Sequence, residues 1–158
     1  MKNKFYTLIL ILFYFVFVSK NVNANEPFIF DVTEIEILEN GNKINGFKGG
    51  TATSIDGSTI TAENFFYNKL TNILETTGNV KYRDKIKNTI ITADKAIYFK
   101  NEEKIFTIGN SKAVNDTNTI TASNLEYDKI KNIFKAKKNV VVVDFEKDIT
   151  IYANEIFY

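Results

Sequence analysis

The sequence predicts an all-β domain, one antiparallel meander of about nine or ten curved strands folded over on itself. Three observations predict it. Apolar and polar residues alternate with period two along most of the chain, the pattern of strands with one buried face. Beyond residue 24 no stretch sustains apolar residues at i, i+3, i+4 and i+7, so almost no helix is expected. The third observation is a strand pattern that returns at a fixed interval. Ile60-Thr61-Ala62 leads to Phe65 and Tyr67, and Ile91-Thr92-Ala93 to Ala96 and Tyr98. Ile120-Thr121-Ala122 leads to Leu125 and Tyr127, and Ile151-Tyr152-Ala153 to Ile156 and Tyr158. A looser first copy puts Phe30, Val32, Ile35 and Ile37 in the same slots. The copies start at residues 30, 60, 91, 120 and 151, a spacing that marks a stack of repeated layers.

The first 24 residues stand apart. Lys2 and Lys4 precede an apolar run from Phe5 to Val18, and Val22 and Ala24 occupy the −3 and −1 positions of a cleavage site before Asn25. That is the layout of a secretory signal peptide. The run is shorter than the roughly 20 residues a membrane-spanning helix needs, which favours cleavage over an uncleaved anchor. Residues 25–158 form the expected mature domain.

Loss of Lys2, Lys4 and Lys20 leaves 17 basic and 19 acidic residues, a net charge of −2. The basic excess expected of a nucleic-acid binder is missing. Absence of cysteine leaves an exported domain without disulfides, and absence of histidine removes imidazole proton transfer and His-ligated metal sites.

Within the domain, Pro27 is the only proline. Phe28-Ile29-Phe30 and Glu34-Ile35-Glu36-Ile37 read as an opening strand, and Glu39-Asn40-Gly41-Asn42 as a turn. Each later repeat holds two strands. In the first, Ile60 and Ala62 have even numbers but Phe65 and Tyr67 odd ones. A bulge or bend after the alanine returns all four side chains to one face. A polar turn follows each tyrosine: Asn68 to Asn72, Lys100 to Lys104, and Asp128 to Asn132. The second strands carry Leu74 and Val80, Ile105 and Ser111, and Phe134 and Val140 around Gly78-Asn79, Gly109-Asn110 and Lys138-Asn139. Glycine inside a strand marks a bulge or a close approach, so a second corner is expected in each layer. Asp56-Gly57, Asp84 to Asn88, Asn115 to Asn118 and Asp144 to Asp148 make the remaining hairpin links.

The repeat sets apolar side chains in fixed inner slots. One stripe is Phe30, Ile60, Ile91, Ile120 and Ile151; a second is Ile35, Phe65, Ala96, Leu125 and Ile156; a third is Ile37, Tyr67, Tyr98, Tyr127 and Tyr158. Ala62, Ala93, Leu74, Val80, Ile105, Phe134 and Val140 join them. Stacked layers align such stripes along the domain. They form either the dry core of a structural solenoid or an apolar trough for an extended acyl chain, and periodicity leaves both readings open. Glu63 and Asp94 read as outward, solvated positions, and the turn lysines Lys85, Lys87, Lys129, Lys131, Lys135, Lys137 and Lys138 as solubility or edge-protecting devices. Asp144 with Asp148, or Asp94 with Lys95, are the carboxylate and charge pairs that an acid/base site of a polysaccharide-cleaving β-helix would need, with no motif behind them. The first and last strands are expected to be open edges, where a neighbouring chain can add a strand.

The ordered set Phe28-Ile29-Phe30-Asp31, Glu34-Ile35, Asp56-Gly57-Ser58-Thr59-Ile60-Thr61-Ala62, Tyr67-Asn68-Lys69 and Leu74 to Val80 resembles the OstA-like periplasmic domain of the lipopolysaccharide transport family. The likeness spans residues 28–158. It is greatest to the N-terminal region of the assembly protein LptD, and next to the bridge protein LptA. The resemblance implies a β-jellyroll (β-taco) whose groove carries the acyl chains of lipid A across the periplasm toward the outer membrane. It implies partners: lipopolysaccharide, other OstA-like domains abutting end to end, and, for an LptD-type protein, an outer-membrane barrel with its lipoprotein. It implies neither cofactor nor catalysis. No barrel follows in residues 25–158, so a fragment of a longer protein or a free-standing bridge is expected. The alternative is a non-conducting structural spacer of the cell envelope.

Overall fold

A computed structural model describes residues 26–158; the expected signal peptide lies outside them. Ten strands form a single antiparallel sheet: β1 (Phe28–Leu38), β2 (Lys43–Ser54), β3 (Thr59–Ala62), β4 (Asn64–Asn68), β5 (Ile73–Asp84), β6 (Thr89–Phe99), β7 (Lys104–Val114), β8 (Asn118–Asp128), β9 (Ile133–Asp144) and β10 (Ile149–Phe157). Neighbours in sequence pair in order, except that β3 and β4 do not pair with each other and together occupy one place between β2 and β5. The described residues hold only two single-turn 3-10 segments, at Glu39–Gly41 and Lys100–Glu102. The all-β meander expected from the repeat is the fold observed.

Every long ladder slips register once, and the slips line up. They fall between Val32 and Glu34, Thr77 and Val80, Thr92 and Lys95, Ile108 and Ser111, Thr121 and Asn124, and Ala153 and Glu155. Bulges bend a strand and increase its twist. Aligned across the sheet, they crease it into two half-sheets that face each other. The two corners expected per layer are therefore one. The slip after the alanine and the Gly-Asn pair lie opposite each other on adjacent strands, so both belong to a single spine.

The spine explains the recurring Gly-Asn. Gly78 has φ 80° and Asn79 φ 48°, Gly109 φ 77° and Asn110 φ 45°, and Lys138 φ 65° with Asn139 φ 54° in the same two places. Glycine takes a positive φ without steric cost, and asparagine tolerates it better than most residues. Glu63 and Asp94 do face outward, but they are more than solvated positions. Asn79 Nδ2 donates to Glu63 Oε1 at 2.7 Å, and Asn110 Nδ2 donates to Asp94 Oδ2 at 2.9 Å. Each carboxylate braces the crease.

The crease returns the expected residues of the middle layers to the inside. Ile60, Ala62, Phe65, Tyr67, Leu74, Val80, Ile91, Ala93, Ala96, Tyr98, Ile105, Ile120, Leu125, Tyr127, Phe134 and Val140 are all buried. The terminal layers differ. Ile35 and Ile37 remain 53% and 63% exposed, Ile151 and Tyr158 are exposed too, and Phe30 and Ile156 are only half-buried. Their slots point inward, since Ile35 pairs with Gly46 and Ile151 with Val142, but among the described residues β1 and β10 are the outermost strands and no further layer covers them. Equivalence by repeat predicted their direction; their burial needs one more layer.

Candidate functional site

The packed interior between the half-sheets is the candidate site. Its floor is the spine, where Ala62, Ala93 and Ala122 stand buried beside the crease. Small side chains there let the two walls approach. Farther out the walls carry Ile60, Ile91, Ile120 and Val142 on one side and Phe65, Leu74, Ile105 and Leu125 on the other. The buried interior also takes in Thr76, Thr107 and Ser111. Thr107 donates to Ser111 Oγ at 2.8 Å, so these hydroxyls are satisfied within the wall.

The open side, opposite the spine, is lined by the hairpin turns, and aromatic rings close it. Phe28 lies 5.2 Å from Tyr67 and 5.7 Å from Tyr98, centroid to centroid, both edge-on. Tyr82 continues the row, 6.3 Å from Tyr98 and 6.5 Å from Tyr127, and Tyr127 stacks on Phe134 at 4.5 Å. Phe28 and Tyr82 belong to one half-sheet, and Tyr67, Tyr98 and Tyr127 to the other. The rings alternate across the mouth like teeth. Tyr82 and Phe28 were not among the expected lining residues. The signal for Tyr82 was present, because it follows Val80 by one inward step on the same strand.

A second missed signal concerns the hydroxyls. Tyr67 Oη donates to Asn72 Oδ1 at 2.8 Å and Tyr127 Oη to Asn132 Oδ1 at 3.0 Å, while Tyr98 Oη donates to Glu103. In all three cases the acceptor lies five residues on, at the positive-φ position that closes the turn: Asn72 (φ 54°), Glu103 (φ 50°) and Asn132 (φ 57°). Each tyrosine thereby ties its turn to the inner wall. Burial pushes the Tyr67 and Tyr127 phenols up to about 12, since the phenolate would lose its hydration. Tyr82 and Tyr98 are raised further, again chiefly by burial.

The buried carboxylates have structural employment. Asp84 Oδ1 accepts from the backbone N–H groups of Ile86 and Lys87 at 2.9 and 3.0 Å, and Asp144 Oδ1 accepts from those of Glu146 and Lys147 at 3.1 and 2.9 Å. Asp128 does the same for Lys131. These are side-chain caps of tight turns. Asp144 is committed to its own hairpin, to Lys147 and to the Tyr158 hydroxyl at 3.2 Å. Asp94 is committed to the crease, and Lys95 pairs with Glu75 at 2.7 Å. Every atom of the imagined acid/base pairs that is bonded serves the fold.

No protein-family model matches the sequence, and no curated protein does. Solved structures do match. The periplasmic protein of Pseudomonas aeruginosa described as LptH, the LptA-homologous component of the lipopolysaccharide transport device, superposes with a TM-score of 0.65 at 14% identity. The match covers 84% of this chain and 94% of that one. The two chains share the folded-over antiparallel β fold.

Proposed function

We propose that this domain is an exported periplasmic carrier, residues 1–24 being its signal peptide, that holds the acyl chains of lipopolysaccharide between its half-sheets. One observation carries the reading: the inner apolar wall runs the whole length of the stack and stands bare at both ends. Ile35 and Ile37 at one end, and Ile151 and Tyr158 at the other, face inward yet remain exposed. Inward apolar slots that continue into the outermost described strands are what a track shared with further layers requires. Added to like domains through the free edges of β1 and β10, the wall becomes one continuous apolar track. The fold shared with the LptH component supports the same assignment. A chain running on past Tyr158 into a barrel would make the domain the N-terminal module of an LptD-type protein; a stop codon would make it a free bridge.

The magnitudes permit it. Six ring contacts join the half-sheets, and aromatic pairs contribute about 0.5–1.5 kcal/mol each beyond their area burial, so separating them costs roughly 3–9 kcal/mol. Burying an acyl chain of about a dozen methylenes returns roughly 10 kcal/mol at about 0.8 kcal/mol per methylene. One chain is enough to offset the loss of those ring contacts.

The packed middle layers favour a second reading, a structural spacer with a permanently dry core. Native mass spectrometry of the domain incubated with purified lipopolysaccharide, intact or stripped of its acyl chains, separates the two. The carrier retains the intact lipid and releases the deacylated one. A domain that retains neither is a spacer.

A further inference from the structure

The turns at the mouth carry a charge cluster that the sequence spread over three hairpins. Asp56 lies in the β2–β3 turn of one half-sheet, while Lys100, Glu103 and Lys129 lie in the β6–β7 and β8–β9 turns of the other. Lys129 Nζ donates to Asp56 Oδ2 across the mouth, reaches Ser58 Oγ at 3.2 Å and stands 3.2 Å from Glu103 Oε2. Lys100 pairs with Glu103 and comes within 4.0 Å of Asp56, its Nζ lying 5.5 Å from the centre of the Tyr98 ring. Glu103 also accepts the Tyr98 hydroxyl, and Asp56 Oδ1 accepts the Ser58 backbone N–H at 3.0 Å.

Lys129 is not the solubility or edge-protecting device that the turn composition implied. The Lys100 and Lys129 side chains are each only 11% exposed, whereas Lys131, two residues on, is 69% exposed. Ions taken this far out of water lose hydration that mutual attraction only partly repays, so an apolar pair would close the mouth as well or better. A charged closure has a different property: it can be released. Burial disfavours the Asp56 carboxylate, but the Lys129 ammonium and the Ser58 N–H and hydroxyl outweigh that and keep it ionised well below the usual carboxylate range. At the Glu26 end of the mouth, Lys69 meets Glu26 at 2.7 Å, a more exposed echo of the same arrangement.

We propose that Asp56, Lys129, Glu103 and Lys100 form an ionic latch that holds the two lips of the trough together and must part before an acyl-chain ligand enters from the side. The latch rests on the acyl-chain reading of the interior, yet its closure can be measured without lipid.

The chain contains no cysteine, so Ile86→Cys and Ile130→Cys place spin labels uniquely, on exposed turn tips of opposite lips. Pulsed dipolar spectroscopy should give a narrow, short distance distribution for the parent in low salt. Asp56→Asn and Lys129→Gln should each lengthen and broaden it, and the double variant no more than either single one. Salt at about 1 M should move the parent in the same direction but much less, because ions this far out of water are only weakly screened. Loading of purified lipopolysaccharide, followed by native mass spectrometry over time, should be several-fold faster in both variants. An unchanged distance distribution, or a loading rate equal in parent and variants, overturns the latch alone. A mouth that opens in the variants but admits no lipid overturns the acyl-chain reading, and the gate with it.

Discussion

The rings of Tyr82 and Tyr98 stand on opposite half-sheets with centroids 6.3 Å apart and planes at 73°. That contact bridges the crease at its open side, between two strands that are neighbours in the sheet. Tyr82 also donates toward Ser58 Oγ and Asp84 Oδ2, each at 3.3 Å. Replacing it by phenylalanine keeps the ring, leaves Ser58 with Lys129 and Asp84 Oδ1 with its turn N–H groups, and takes the hydroxyl from the buried Asp84 Oδ2. We expect Tyr82→Phe to lose about 1–3 kcal/mol, and Tyr82→Ala about 3–5 kcal/mol more through the cavity left at the mouth. Urea unfolding checks both; equal losses would mean that the ring does not bridge the halves.

The tyrosine row predicts an alkaline transition. Tyr67 and Tyr127 are held up to about 12 by burial, against 10 for a free phenol. A pKa raised in the folded state adds stability that is full below the unfolded value and lost as pH rises through the folded one. The domain should therefore lose stability between pH 10 and 12. Its tyrosinate absorbance should rise in a step that coincides with loss of the β circular-dichroism signal. Full ionisation near pH 10 with the fold intact would contradict the packed mouth.

The acid side depends on the rim. The Asp56 carboxyl is depressed below its ordinary 3.8 despite burial, so its contribution is complete above that value and fades as pH falls below it. The thermal midpoint of the parent should drop on acidification below about pH 4, and the drop should be shallower in Asp56→Asn. Parallel pH profiles for the two proteins would remove Asp56 from the account.

The crease can be tuned at its third copy. Lys138 holds φ 65° where Gly78 and Gly109 hold 80° and 77°. Left-handed backbone costs a residue with a Cβ about 1–2 kcal/mol, and glycine gives back about 0.5–1 kcal/mol in chain entropy. Lys138→Gly should stabilise the domain by about 0.5–1 kcal/mol. Gly78→Ala should destabilise it by more than 1–2 kcal/mol, roughly the strain alone, because the new Cβ would lie 2.4 Å from Glu63 Oε2 and 2.7 Å from Glu63 Cβ. Opposite signs for these two changes, read from chemical denaturation, test whether the bulges share one geometry.

Much of this arrangement was legible in the sequence, because a repeat of this regularity states its inner slots several times over. Ile91, Ala93, Ala96 and Tyr98 fall inside as the parity slip after the alanine required. Exposure of Ile35, Ile37 and Ile151 was not legible, because a repeat gives a side chain's direction but not whether another layer covers it. Nor did local sequence reveal that the alanine slip and the Gly-Asn pair meet at one spine, which depends on strand register. Asp56 and Lys129 are 73 residues apart and joined only by the fold. The bond from each repeat tyrosine to the residue five positions later was visible at Asn72, Glu103 and Asn132, and its regularity was the available signal.

The central claim is that the inner wall, and not the outer face, meets lipid. The most direct measurement places a photo-crosslinking amino acid at Leu125, which is buried between the half-sheets, and separately at Ile97, which faces outward from the same half-sheet. Illumination in the presence of purified lipopolysaccharide should give an adduct at Leu125 and none at Ile97. Adducts at both positions alike, or at Ile97 alone, would contradict the account, and so would the absence of any adduct at Leu125 in a folded protein.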